Sequence, residues 1–394
     1  MVRNQPKLPV YLDYQSTTPM DPRALQAMLP YFAEKFGNPH STSHGLGREA
    51  AAAVETARGQ VARLIGADER AIVFTSGATE ANNLAVKGAV RFGLPERNHV
   101  VTCVTEHKCV LESAQALRRE GAEVTLLPVR TDGLIDLDQL AAAIGERTAL
   151  VSIMAANNEI GVVQPLAEIG ALCREKGVLF HTDAAQAVGK VPIDVEAMHI
   201  DLLSLSGHKL YGPKGIGILY VRRRPRARVT PLFDGGGQER GLRSGTLPAP
   251  LCVGLGAACA LAAAEMGTEA ARLAGQRDRL LRLLRLALPD LAVNGSLERR
   301  LPGNLNLGFP GLSAIALLET LPDLALSLGS ACTSASVEPS YVLRALGLPD
   351  DLANASCRIG LGRFTTEAEI DYAAERLIAA VRALRGPAKA AASA

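Results

Sequence analysis

Between residues 70 and 220, short apolar runs alternate with stretches of helical spacing. Runs at 71–74, 99–104, 123–129, 149–155, 178–182, 200–205 and 215–221 have the length of buried strands. Between them, residues 80–90, 110–119 and 166–176 repeat apolar side chains at intervals of three and four, the last opened by Pro165, which suits a first helical turn. This alternation predicts an α/β fold around a mostly parallel sheet. Strand ends in such a sheet meet helix starts, and ligands gather at the carboxyl edge.

After Gly235-Gly-Gly237 the pattern turns to Ala, Leu and Arg, and residues 257–288 read as one long helix with candidate breaks at Gly267 and Gly275. The remainder offers a strand at 304–309, a small-residue loop around Cys332, and a closing helix announced by the capping box Thr366-x-x-Glu369. Residues 386–394 have nothing to bury and are expected to fray. The organisation expected is a large domain of residues 17–263 and a smaller α+β domain built from 1–16 and 264–394.

At 394 residues and 48% hydrophobic side chains the chain can bury a large core. Its 42 basic and 40 acidic residues nearly cancel to +2, so no strong field favours nucleic acid or an anionic membrane. The cluster Arg222-Arg-Arg-Pro-Arg226 reads as a solvated turn after a strand. No signal peptide and no run of about 18 uninterrupted apolar residues stand out, so a soluble, cytoplasmic protein is expected. Seven cysteines without C-x-x-C spacing argue against a disulfide framework and against a paired-cysteine metal site. Cys103, Cys173, Cys252 and Cys259 sit in apolar or helical stretches, where a buried thiol is the default.

The chemistry begins at Asp201-Leu-Leu-Ser-Leu-Ser-Gly-His-Lys209. A Lys just past the polar end of a buried strand presents a desolvated, nucleophilic amine to a cleft. Asp183, ending His181-Thr-Asp183, delivers a carboxylate from a second buried strand to the same place. A carboxylate that keeps a pyridine nitrogen protonated, beside such an amine, reads as a pyridoxal phosphate site. Phe74-Thr-Ser-Gly-Ala-Thr-Glu80 puts small residues between a strand and a helix, so first-turn amides can cradle a phosphate together with Ser206 and His208. His107, in Thr105-Glu-His-Lys108, falls at the same edge, where an imidazole can stack on a ring or move protons. Asn158 and Gln186 also follow strands and can hydrogen-bond a ring hydroxyl.

With these motifs in order, the chain resembles the cysteine desulfurases, pyridoxal phosphate enzymes of the class-V aminotransferase group with fold-type-I architecture. The resemblance runs from Tyr11-Leu-Asp-Tyr14 to Gly362-Arg-Phe-Thr365 and includes Ser76-Gly-Ala-Thr-Glu80, Thr105-Glu-His107, Asn157-Asn-Glu159, Ser206-Gly-His-Lys209, Arg243-Ser-Gly-Thr246 and Gly329-Ser-Ala-Cys-Thr-Ser334. It implies a mostly parallel seven-stranded sheet in the large domain. It further implies that Lys209 is joined covalently to pyridoxal 5'-phosphate, that Asp183 pairs with the pyridine nitrogen, that Gln186 and Asn158 approach the ring hydroxyl, and that His107 stacks on the ring. Ala78, Thr79, Ser206 and His208 would hold the phosphate, and Thr246 would reach the phosphate in the partner subunit's site of a homodimer. Arg358 would clamp the carboxylate of the substrate L-cysteine, a task suited to its planar fork, with Asn38 assisting.

Cys332 selects the reaction in this resemblance. Its surroundings, within a loop at about 327–338, are small and polar, so an exposed mobile segment is expected. An ordinary thiol is poorly ionised at neutral pH, and His107 or the bound substrate would take its proton. Lys209 would remove the Cα proton, the Cys332 thiolate would attack the substrate sulfur, and alanine would leave with a persulfide kept on Cys332. The sulfur would pass to an iron–sulfur scaffold protein or another acceptor, with Cys332 at most a transient cluster ligand on such a partner. Ser-Ala-Cys-Thr-Ser is the long-loop pattern of this family. Leu328 replaces a Ser common before the loop glycine, and the chain ends without the acidic, aromatic tail of the cluster-assembly members. Cys109, beside His107, is read as structural.

Overall fold

A computed structural model describes residues 6–328 and 338–386. In chain order the strands are β1 (Val10–Tyr11), β2 (Ile72–Thr75), β3 (His99–Cys103), β4 (Glu123–Leu127), β5 (Thr148–Ser152), β6 (Leu179–Asp183), β7 (Leu202–Ser206), β8 (Gly217–Val221), β9 (Ala292–Val293), β10 (Asn304–Gly308), β11 (Leu324–Ala325) and β12 (Ser356–Gly360). Seven of them form one sheet in the order β2, β8, β7, β6, β5, β3, β4. All pairs are parallel except those that β8 makes with β2 and β7.

The central strands read as unbroken apolar runs because both faces of the sheet are covered. Successive side chains point to opposite faces, so Val101, Val151, Leu203 and Ile218 enter one core while Val100, Leu150, Leu202 and Leu219 enter another. The first core is closed by the helices Gly45–Leu64 and Leu166–Glu175, the second by Ala78–Gly93 and Lys108–Arg119.

One helix, Ala249–Ala287, spans 39 residues and runs unbroken through Gly267 and Gly275. Each glycine costs a helix interior about 1 kcal/mol, yet the helix is held at both ends. Cys252, Leu255, Cys259 and Ala262 pack into the first sheet core, while Leu273, Leu280 and Leu284 pack into a separate one. That separate core gathers β1, β10, β12 and the closing helix Glu367–Arg385. The long helix has a window of mean hydropathy 1.6, and its buried apolar side chains are met by these two cores. The closing helix carries the expected capping box, with Thr366 and Glu369 bonded reciprocally.

Arg222 departs from the expected solvated turn. It is buried and pairs with Asp201 at 3.2 Å, while Arg223, Arg224 and Arg226 stay exposed in the hairpin beyond it. The predicted turn is real, but its first residue, just past the end of β8, is still held against Asp201 beside the sheet, with Arg222 N donating to Asp201 O at 2.8 Å. Residues 387–394 lie outside the described residues.

Candidate active site

At the carboxyl ends of β6 and β7 a cavity of about 580 Å³ opens, within the range of small-molecule sites. β7 ends at Ser206 and the chain turns at once through Gly207–Lys209. A Cβ on Gly207 would lie 2.6 Å from Pro213 O, so only glycine permits this turn. It carries Lys209 into the cavity, where its amine donates to Gln15 O at 2.5 Å and Ser16 O at 2.7 Å.

Asp183 ends β6 and is buried. Its Oδ1 accepts from Ala185 N at 3.0 Å and its Oδ2 from the Asn82 amide at 2.7 Å. The second Asn82 hydrogen reaches Cys109 Sγ at 3.1 Å. Burial first, and then Asp183, push the Cys109 thiol up to about 12, so it stays protonated.

His107 caps the helix Lys108–Arg119, with Nδ1 accepting from Cys109 N at 3.2 Å and lying 3.0 Å from Cys109 Sγ. Burial lowers its pKa, and Lys209 and Lys108 reinforce this against the pull of Asp183. The ring is therefore neutral at pH 7, and with Nδ1 engaged as acceptor its proton sits on Nε2. In this tautomer Nε2 offers a proton, so accepting one from Cys332 would require the opposite arrangement.

On the facing wall the helix Ala78–Gly93 begins at Gly77, which adopts φ 152° and provides no side-chain cap. Its first amides are unmet by any capping side chain and open on the cavity beside Ser76, Thr79, Ser206 and His208. Uncapped amides at the positive end of a helix are suited to an anion. Burial, and then Lys209, Lys214 and Lys190, lower His208 to about 4, so it is neutral and shares a hydrogen bond with Thr17 Oγ1.

Gln186 is oriented from both sides. Its Oε1 accepts from Lys190 at 3.1 Å, and its Nε2 donates to Gln15 O at 2.8 Å. One Nε2 hydrogen remains, so Gln186 meets an incoming oxygen as a donor. Burial first, and then Lys209, pull the Lys190 amine down to about 7. Asn158 and Arg358 complete the wall.

An amine, a buried carboxylate and an open helix start thus face one cavity. These are the groups that an aldehyde, a protonated ring nitrogen and a phosphate require, so the residues present fit pyridoxal phosphate. A family model described as Aminotransferase class-V matches residues 10–373. The chain belongs to this family. Among the class-V aminotransferases similar to it, the protein named Cysteine desulfurase IscS from Rickettsia felis is 56% identical over 382 residues, covering 97% of this chain and 93% of that one. A solved NifS-like protein superposes with a TM-score of 0.88 at 36% identity, covering 94% of this chain and 98% of its own. SspA, solved in complex with cysteine, gives 0.80 at 39% identity, with 91% and 100% covered. The class-V fold expected from the motifs is therefore the fold of this chain.

Of the expected site residues, Lys209, Asp183, His107, Gln186, Asn158, Ala78, Thr79, Ser206, His208 and Arg358 all line the cavity. Asn38 and Thr246 do not. Asn38 turns its carboxamide to His40 N, and Thr246 is exposed after the glycine-rich segment. Cys332 lies outside the described residues, but both flanks of its segment are tied to this class-V site. Ser327 pairs through its backbone with Arg358, and the Tyr341 hydroxyl donates to Glu106 O, next to His107.

Sequence reasoning passed over Gln15, Ser16 and Thr17, which close the cavity from the N-terminal segment, and Asn82, which holds Asp183. Asn82 lay four residues beyond Ala78 on the predicted helix. That spacing puts it one turn along on the same face, a signal that was present and unused.

Proposed function

We propose that this protein is a pyridoxal phosphate-dependent cysteine desulfurase that converts L-cysteine to L-alanine, keeps the sulfur as a persulfide on Cys332 and passes it to acceptor proteins in the cytoplasm. The observation that carries this reading is the convergence of Lys209, Asp183, His107 and an uncapped helix start on one cavity, in a chain so similar to proteins named cysteine desulfurase. In this reading residues 17–263 form the cofactor-binding domain, and 1–16 with 264–394 form the small domain. The acceptors are an iron–sulfur scaffold protein or another sulfur carrier.

Lys209 would hold the cofactor covalently, Asp183 its ring nitrogen, Gln186 and Asn158 its ring hydroxyl, and Ala78, Thr79, Ser206 and His208 its phosphate. His107 stacks on the ring. Thr246 reaches the phosphate in the partner subunit's site of a homodimer, which agrees with its position outside the cavity of its own chain. When bound, the cofactor draws electrons away from the substrate Cα and acidifies its proton.

The chain's own residues do the rest. Arg358 holds the substrate carboxylate, with Asn38 as an auxiliary contact. The Lys209 amine takes the Cα proton. The Cys332 thiolate attacks the cysteine sulfur, so that an S–S bond forms as the Cβ–S bond breaks. Both flanks of the Cys332 segment are anchored at the cleft, which supports delivery of the thiol to the substrate. With Nδ1 engaged as an acceptor, His107 is assigned as a proton donor at Nε2, so the substrate amine is the better acceptor for the thiol proton.

Replacing Cys332 with alanine tests the reaction class. With a reductant present, production of alanine and sulfide from L-cysteine should fall by at least about 10³-fold, as on loss of other catalytic nucleophiles. Cofactor absorbance should persist. Unchanged turnover in this variant would refute Cys332 as the sulfur acceptor.

A further inference from the structure

With Arg358 taken as the seat of the substrate carboxylate, as proposed above, the surrounding hydrogen bonds can be counted. A guanidinium has five N–H donors and no acceptor. Nη2 donates to Asp13 Oδ1 at 2.7 Å and to the Ser16 hydroxyl at 2.6 Å, which uses both of its hydrogens. Nη1 donates to Asn158 O at 2.8 Å. One Nη1 hydrogen and the Nε hydrogen remain, and Nε is buried without a hydrogen-bond partner among the described residues. The side chain as a whole is 1% exposed, yet it lines the cavity.

A carboxylate grips a guanidinium by two parallel bonds, across the edge of Nε and Nη2 or across the edge of Nη1 and Nη2. Both edges include Nη2, and Nη2 is filled from within the chain. We propose that Asp13 and Ser16 form an internal latch on Arg358, and that a substrate carboxylate binds there by exchange, displacing the Ser16 hydroxyl and sharing the guanidinium with Asp13.

Ser16 is the group that yields. Its hydroxyl is neutral and a weaker acceptor than a carboxylate, and Ser16 lines the cavity whereas Asp13 does not. Asp13 is fixed by its backbone bridge to Gly360, two residues beyond Arg358. The latch has two effects on the reaction. An uncharged ligand gains too little to displace Ser16, so the site selects for an anion. The Asp13 charge stays beside the bound carboxylate, which weakens binding and hastens departure of the amino-acid product. Ser16 O also accepts from the Lys209 amine, so the residue released from Arg358 lies next to the catalytic amine.

The test titrates the holoenzyme with L-alanine, and with L-alaninamide as a probe lacking the carboxylate, following cofactor absorbance. Ser16→Ala frees an Nη2 hydrogen and should tighten L-alanine binding by about 3- to 10-fold, as expected for one hydrogen bond to a charged group exchanged against solvent. Asp13→Asn keeps an acceptor, removes the competing charge, and should tighten it by at least as much. Alaninamide binding and the affinity of the apoprotein for pyridoxal phosphate should not move in either variant. Unchanged or weaker L-alanine binding in Ser16→Ala, while Arg358→Gln abolishes it, overturns the latch and leaves the carboxylate seat standing. If Arg358→Gln binds L-alanine as tightly as the parent, the assignment of Arg358 itself fails and the latch falls with it.

Discussion

Replacing Lys209 with alanine is expected to lower alanine formation from L-cysteine by about 10⁴-fold or more, and to abolish any cofactor adduct fixed to the chain by borohydride. Two functions rest on this one amine, covalent retention of the cofactor and removal of the Cα proton, so their loss compounds. The amine is held by two carbonyls, Gln15 O and Ser16 O. As acceptors they engage only its hydrogens, so the nitrogen lone pair stays available once the amine is neutral, and the amine faces the cavity. Truncation exposes both carbonyls to a cavity wide enough for water, so the fold should keep its stability while the chemistry is lost. Mass spectrometry after borohydride treatment separates the outcomes. An adduct that survives in Lys209→Ala would mean that another amine carries the cofactor, either Lys214, which also lines the cavity, or Lys190 behind Gln186.

Much of this site was legible because it hangs on buried strands. A strand covered on both faces writes itself as an apolar run, and the residue that ends the run is then placed at a known edge. Asp183, Ser206, Lys209 and His107 were all found in this way. The N-terminal segment offered no such frame. Asp13 to Thr18 has neither period, and the place of Gln15, Ser16 and Thr17 in the cavity depends on a parallel pairing of β1 with β11, more than 300 residues along the chain. Arg222 was misread for a related reason, since its partner Asp201 stands just before the neighbouring strand and nothing local announces it. Gly267 and Gly275 argued for breaks by propensity alone, but packing of both helix ends into separate cores decides the matter. Asn38 and Thr246 were assigned through resemblance, and a single chain does not bring them to its own cavity.

The largest expected effect on stability comes from Glu239→Ala, which should cost about 3–5 kcal/mol in equilibrium unfolding by denaturant. Arg58 and Glu239 form a two-pronged ion pair at 2.8 Å on each arm, and each side chain is 3% exposed. Glu239 Oε2 also accepts from Phe74 N at 2.7 Å, while the Arg58 guanidinium lies 4.8 Å over the Phe74 ring. Truncating the carboxylate leaves a buried cation with the exposed Glu55 as its remaining acidic partner, and leaves the Phe74 N–H unmet. Glu239 sits at φ +48° and Arg240 at φ +59°. Alanine tolerates that conformation no better than glutamate, so backbone strain is common to both proteins and drops out of the comparison. If the cost is that of an unpaired charge, changing both partners together, Arg58→Met with Glu239→Leu, should recover most of it, because well-packed apolar replacements of a buried pair are often neutral or stabilising. A double variant as unstable as Glu239→Ala would show instead that the pair acts by shaping the turn at Glu239–Gly241. The same turn leads to Arg243, which pairs with Glu80 at the uncapped helix start, so the single variant should also bind pyridoxal phosphate more weakly at a temperature where it is still folded.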